Sequence, residues 1–112
     1  MYYEITEESL KLKCNDTDLE SLIHDVVSNY TNFVNVKDIE GYLINVFEQK
    51  DLFEKRANTI YKSITLTPFD QFRINKILCQ MIMNGQLIIN LIGRKYYSGN
   101  GFEVAWAGEK TT

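Results

Sequence analysis

A chain of 112 residues, 45% hydrophobic and 12% aromatic, has the length of one domain and enough apolar side chains for a core without disulfide or metal staples. With one proline and no low-complexity run it is neither fibrous nor disordered, and no apolar stretch is long enough to span a bilayer. The net charge of −3 hides a split: residues 1–54 carry 12 acids and 4 bases, and residues 55–112 carry 3 acids and 8 bases. Such asymmetry marks either a binding face or two halves that neutralise each other in the fold. No secretory leader opens the sequence, so a cytoplasmic location is expected. Cys14 and Cys79 stand far apart and are expected as free thiols.

Residues 1–16 read as an N-terminal extension. The stretch YYEITEESLKLKC has a weak period of two around Leu10 and Leu12, which suits a short strand or hairpin. Residues 17–106 then hold the helical core and a C-terminal hairpin, and residues 107–112 form a tail. In TDLESLIHDVVSNY the apolar residues Leu19, Leu22, Ile23, Val26, Val27 and Tyr30 recur at helical spacing. Thr17 and Glu20 have the spacing of a capping box at its start. A second helix follows in VKDIEGYLINVFEQ, with Asn35 as its cap and Val36, Ile39, Leu43, Val46 and Phe47 as its stripe. Gly41 inside it is expected where another helix comes close. The apolar phase continues through Phe53, Ala57, Ile60, Tyr61 and Ile64. This predicts either one long helix over 36–64 or, preferred here, two helices broken near Gln49–Asp51.

TLTPFDQF is the sharpest boundary. Thr67 suits an N-cap, Pro68 the first helical position, and Asp70 the positive end of the helix. The helix is expected to run to Asn84 on a stripe of Ile74, Ile77, Leu78, Met81 and Ile82, with Gly85 as its left-handed stop. An apolar strand, QLIINLIG, leads into GRKYYSGNGFEVAW, a hairpin whose SGNG tolerates positive φ. The fold class is therefore α+β: three to four helices followed by a C-terminal β-hairpin, in a single domain over 1–112.

From DLFEKRANTIYKSI through TLTPFDQFRINKILCQMIMNGQLIINLIGRKYY to FEVAW, residues 52–106, the pattern resembles the winged-helix superfamily. The resemblance implies that the helix before Gly85 is a recognition helix and that the loop between the last strands is a wing that contacts nucleic acid.

No catalytic set is visible, and an enzyme is not expected. His24, the lone histidine, lies among the apolar positions of the first helix and is best read as a packed or surface residue. Asp16 and Asp18 lack the rest of a calcium loop, and no Cys/His cluster has zinc spacing. Neither a metal nor a cofactor is expected.

Binding chemistry is better represented. Arg73, Lys76, Gln80 and Asn84 fall on one polar stripe of the Thr-Pro helix, where Arg, Gln and Asn can read base edges and Lys can meet phosphate. Arg94 and Lys95 on the wing, and Lys55, Arg56 and Lys62 before the helix, bring the cations of this region to seven, with Asp70 the only acid between Lys55 and Lys95. Against this, Phe69, Phe72 and Met83 lie on the face opposite the core stripe, where a partner protein suits them better than a groove of DNA. Tyr96 and Tyr97 join that candidate interface. Two functions follow. One is a small winged-helix-like regulator that binds nucleic acid as a homodimer. The other is a protein-interaction module, of the kind a phage or mobile element encodes to inhibit or adapt a host protein.

Overall fold

A computed structural model of the chain describes residues 4–90 and 102–108. The elements run β1 (Glu4–Leu10), α1 (Asp16–Val27), β2 (Val34–Asn35), α2 (Val36–Gln49), β3 (Thr59–Leu66), α3 (Pro68–Met83), β4 (Leu87–Asn90) and β5 (Glu103–Trp106). The fold is α+β, with three helices and two small sheets among the described residues.

Each helix starts where a side chain can satisfy an orphan amide. The cap of α1 is Asn15, whose Oδ1 accepts from the Asp18 N–H at 2.8 Å. The expected Thr17–Glu20 box therefore lies inside the first turn, because Asn15 reaches its third helical amide first. Asn35 caps α2 as expected, accepting from the Lys37 N–H at 2.8 Å. Thr67 caps α3, Pro68 follows it, and Gly85 closes it at φ 79°. The inward stripes are those the periodicity gives: Leu19, Ile23 and Val27 on α1, Val36, Ile39, Leu43 and Phe47 on α2, and Ile74, Ile77, Leu78 and Met81 on α3 are buried.

The stretch after α2 departs from expectation. The helix ends at Gln49, and Asp51 turns the chain at φ 55°. A second left-handed residue, Asn58, also at φ 55°, precedes a strand and not a helix. Asp and Asn tolerate this conformation at small cost. The residues that follow it, Thr59, Ile60, Tyr61, Ile64 and Thr65, are β-branched or aromatic and favour an extended chain. Their near-helical spacing lies in the sequence, but β1 supplies the hydrogen-bond partner that decides the outcome.

β1 and β3 run parallel, from Glu4 opposite Thr59 to Leu10 opposite Leu66, with a bulge that leaves Lys62 without an opposite residue. The N-terminal stretch is thus one strand of a non-local pair and not a local hairpin. Its base is built into the core: Leu10 and Leu12 are buried, and Leu12 bridges Phe53. The second sheet has the order β2-β5-β4, antiparallel throughout, with Val104 paired to both Val34 and Ile89. It closes one end of the core, where Val104 is fully buried and Trp106 meets His24 edge to face, with centroids 5.1 Å apart. Gly41 has no close neighbour: a Cβ there meets nothing within 4 Å, so no helix approaches it.

Candidate interaction face on the third helix

α3 is held at its start by a buried polar latch. Asp70, 1% exposed, accepts at Oδ2 from the Leu12 N–H at 3.0 Å and from the Thr67 hydroxyl at 3.1 Å. Its Oδ1 accepts from Arg73 Nη1 at 2.9 Å. The Asp70 N–H in turn donates to Thr67 Oγ1 at 3.2 Å, so cap and carboxylate satisfy each other. Arg73 completes the latch by donating from Nε to Asp16 Oδ1 at 2.8 Å and from Nη2 to the Cys14 carbonyl at 2.9 Å. Burial opposes the charge on Arg73, but its hydrogen bonds to Asp70 and Asp16 outweigh it and raise its pKa above the ordinary arginine value. The latch ties the segment after β1, the start of α1 and the start of α3 together.

Arg73 is consequently turned inward, its side chain only 12% exposed, and each of its three guanidinium nitrogens donates a hydrogen bond within the fold. The next positions on the helix face outward. At about 100° per residue, Phe69, Phe72, Lys76, Gln80 and Met83 share one face. Phe69 is 63% exposed, Phe72 64% and Met83 83%. Lys76, Cys79 and Gln80 are exposed among them. A hollow of about 370 Å³ opens between this face and α1, lined by Asp16, Glu20, Phe69, Phe72, Lys76 and Gln80 among others. A second hollow, of about 230 Å³, extends it past Gln80 toward Met83 and Asn84. The surface is a strip of three large apolar side chains, with one cation in its middle and an acidic helix along its side.

The other sequence candidates lie elsewhere. Lys55 pairs with Glu48 at 2.8 Å. Arg56 pairs with Glu8, and with Glu4 at 3.5 Å. Its backbone N–H donates to the Tyr61 hydroxyl at 2.8 Å. The Arg56 guanidinium holds the Glu8 carboxyl below its ordinary pKa. Lys62 is exposed at the bulge of β3. Arg94, Lys95, Tyr96 and Tyr97 fall outside the described residues. Three of the eight bases of the basic half, Lys55, Arg56 and Arg73, therefore meet acids of the acidic half, so the charge split is in part neutralised within the fold. Lys76 and Lys62 make no ion pair among the described residues.

The latch is the feature that sequence reasoning assigned differently. Asp70 reads as a dipole-favouring residue and Arg73 as a base reader, yet each is three residues from its partner, at the spacing that brings helical side chains together. That spacing was the available signal. Cys14 is half-buried, and burial raises its thiol pKa. Among the described residues, no group of three or more His, Cys, Asp or Glu side chains could hold a metal ion, and no helix is long and apolar enough to cross a membrane.

No protein-family model, no curated protein and no solved structure matches the chain.

Proposed function

We propose that this chain is a non-enzymatic protein-interaction module whose contact surface is the outward face of α3. The observation that carries this reading is the exposure of Phe69, Phe72 and Met83 on the helix whose own arginine is drawn inside. Three large apolar side chains on one helix face expose surface that water solvates poorly, and exposed apolar surface of this kind suits a protein contact. The acidic neighbour α1 favours a protein over a polyanion, because phosphate binding depends on neutralising charge. The partner would supply apolar anchors for the strip, with flanking charges opposite to Glu20 and Lys76. An adaptor or inhibitor of a host protein, of the kind a phage or mobile element encodes, fits this description.

Nucleic-acid binding through a winged-helix arrangement is the second reading, and two observations favour it. The order α1, β2, α2, α3, β4, β5 with sheet order β2-β5-β4 suits a winged helix in which β1 and β3 are additions. Lys76 and Gln80 are exposed on the helix that would enter the groove. The excursion through β3 between α2 and α3 departs from the short turn of a helix–turn–helix.

Affinity capture from host lysate, with and without nuclease, distinguishes the two. The interaction reading expects a stoichiometric protein that survives nuclease and is lost with Phe72→Asp. Co-purifying nucleic acid that disappears with nuclease, with no protein dependent on Phe72, favours the second reading.

A further inference from the structure

The two hollows beside α3, of about 370 Å³ and 230 Å³, lie end to end and share Glu20, Ile77 and Gln80. Asp16 sits against Arg73, and Glu20 lies further along beside Ile77 and Gln80, so α1 and α3 run side by side in the same direction. Between them they form one groove. Its wall on α3 carries Phe69, Phe72, Lys76 and Met83, and its wall on α1 carries Asp16 and Glu20. Phe69 and Met83 are 14 positions apart, about 21 Å along the helix axis.

We infer that the partner of this face is an amphipathic helix laid along the groove between α1 and α3. Its apolar stripe meets Phe69, Phe72 and Met83, its basic edge meets Asp16 and Glu20, and an acid on its other edge meets Lys76. The inference rests on the interaction reading above and names the kind of partner.

Backbone chemistry selects a helix. Both walls are α-helices, which use their backbone groups within themselves, and among the described residues no strand lines either hollow. An extended peptide draws its affinity from main-chain bonds to a sheet edge, and this groove offers none. A helix satisfies its own backbone and needs only an apolar face to bury. About four turns match the length of the strip.

Charge selects which helix. Glu20 and Lys76 face the same hollow from opposite walls, and neither makes an ion pair among the described residues. Asp16, its side chain 82% exposed, accepts from Arg73 at Oδ1, but that arginine also pairs with the buried Asp70. The α1 wall is therefore net acidic, and the α3 wall carries a single cation. Charges flanking an apolar seam set partner and orientation where helices pack. A helix with its basic edge toward α1 meets opposite charge on both sides, and the reverse placement sets like charges together.

The test pans a displayed library of random peptides, each of about 16 residues to match the strip, against the immobilised full chain. Phe72→Asp and Glu20→Lys serve as parallel baits, with folding checked by circular dichroism. Enriched peptides are expected to carry apolar residues at helical spacing, with Lys or Arg along one edge. A synthetic copy of the strongest is expected to become helical on binding and to lose at least about a hundredfold in affinity for Phe72→Asp. For Glu20→Lys it is expected to lose about threefold to tenfold, and to recover when its own edge cation is changed to glutamate. Peptides that need Phe72 but show period-two or proline-rich patterns overturn the helical partner and leave the interaction reading standing. Equal affinity for wild type and Glu20→Lys overturns the charge assignment, and with it the inference. An empty selection overturns the inference, and peptides indifferent to Phe72→Asp overturn the interaction reading with it. Should Phe72→Asp fail to fold, alkylation of the wild type decides. Cys79 is exposed, one helical turn from both Lys76 and Met83. Bound peptide is expected to slow its modification severalfold, and an unchanged rate overturns the inference.

Discussion

The helical body and the β1–β3 ribbon draw on similar residues and reach opposite states. In the body, isoleucine, leucine and phenylalanine at helical spacing reach complete burial: Leu19, Ile23, Ile39, Leu43 and Phe47 are all at 0% exposure. In the ribbon, Ile5 and Ile60 oppose each other in register and remain exposed. The difference lies in where the partner comes from. A helix satisfies its backbone locally and needs only a face to bury. A strand needs a neighbour for its backbone groups, and among the described residues each ribbon strand has one. The body encloses its apolar side chains, whereas the ribbon and the outward face of α3 leave large apolar side chains in water.

The sharpest way to test that contrast is to remove one large side chain from each region. Phe53→Ala empties a fully enclosed site where the ribbon base meets the core, and is expected to cost about 3–5 kcal/mol in a denaturant melt. Ile60→Ala, on the exposed ribbon face, is expected to cost less than about 0.5 kcal/mol in the monomer. Equal losses would mean that the ribbon is as firmly packed as the body.

Next is the latch that joins the two regions. Asp70→Ala leaves the Leu12 N–H without its partner and removes one of the three bonds that hold the Arg73 guanidinium, and is expected to cost about 3 kcal/mol. Arg73 keeps its bonds to Asp16 and Cys14, which holds the loss near the lower end for a broken buried pair. A melt that moves by less than 1 kcal/mol, as an exposed pair would give, contradicts the burial of this network.

Thr67→Ala removes the cap but leaves Asp70 its bonds from Leu12 and Arg73, and is expected to cost about 1 kcal/mol. One further effect has the opposite sign. Gly41 is helical, exposed and free of close contacts, so Gly41→Ala is expected to stabilise the chain by up to about 1 kcal/mol in the same melts. Destabilisation there would reveal a neighbour that the backbone geometry does not contain.

The same contrast explains what the sequence disclosed. The three helices were legible because each has a stripe of period 3.6 and punctuation at its ends. Thr67, Pro68 and Gly85 fall where capping chemistry puts them. β3 was not legible as a strand, since the spacing of Phe53, Ala57, Ile60, Tyr61 and Ile64 mimics a helix. Its true determinant is a strand 55 positions earlier at Glu4 and Thr59, and pattern within a window cannot register that distance. The turn residues Asp51 and Asn58 were the local clue, each able to take positive φ. On α3 the apolar outer face was legible from spacing alone. The role of Arg73 was not, because its partners Asp16 and Cys14 lie 57 and 59 positions away.

The central claim, that the α3 face meets a protein, is tested most directly by titrating the captured partner against wild type, Phe72→Asp and Lys76→Glu at two salt concentrations. Each side chain is exposed, so each variant is expected to fold. Placing a carboxylate in an apolar contact costs several kcal/mol, so Phe72→Asp is expected to abolish binding, or to weaken it by at least about a hundredfold. Lys76→Glu is expected to weaken it by less than about tenfold, with shallow salt dependence. Binding that survives Phe72→Asp but falls steeply with salt and is abolished by Lys76→Glu would contradict the account and assign the helix to phosphate recognition.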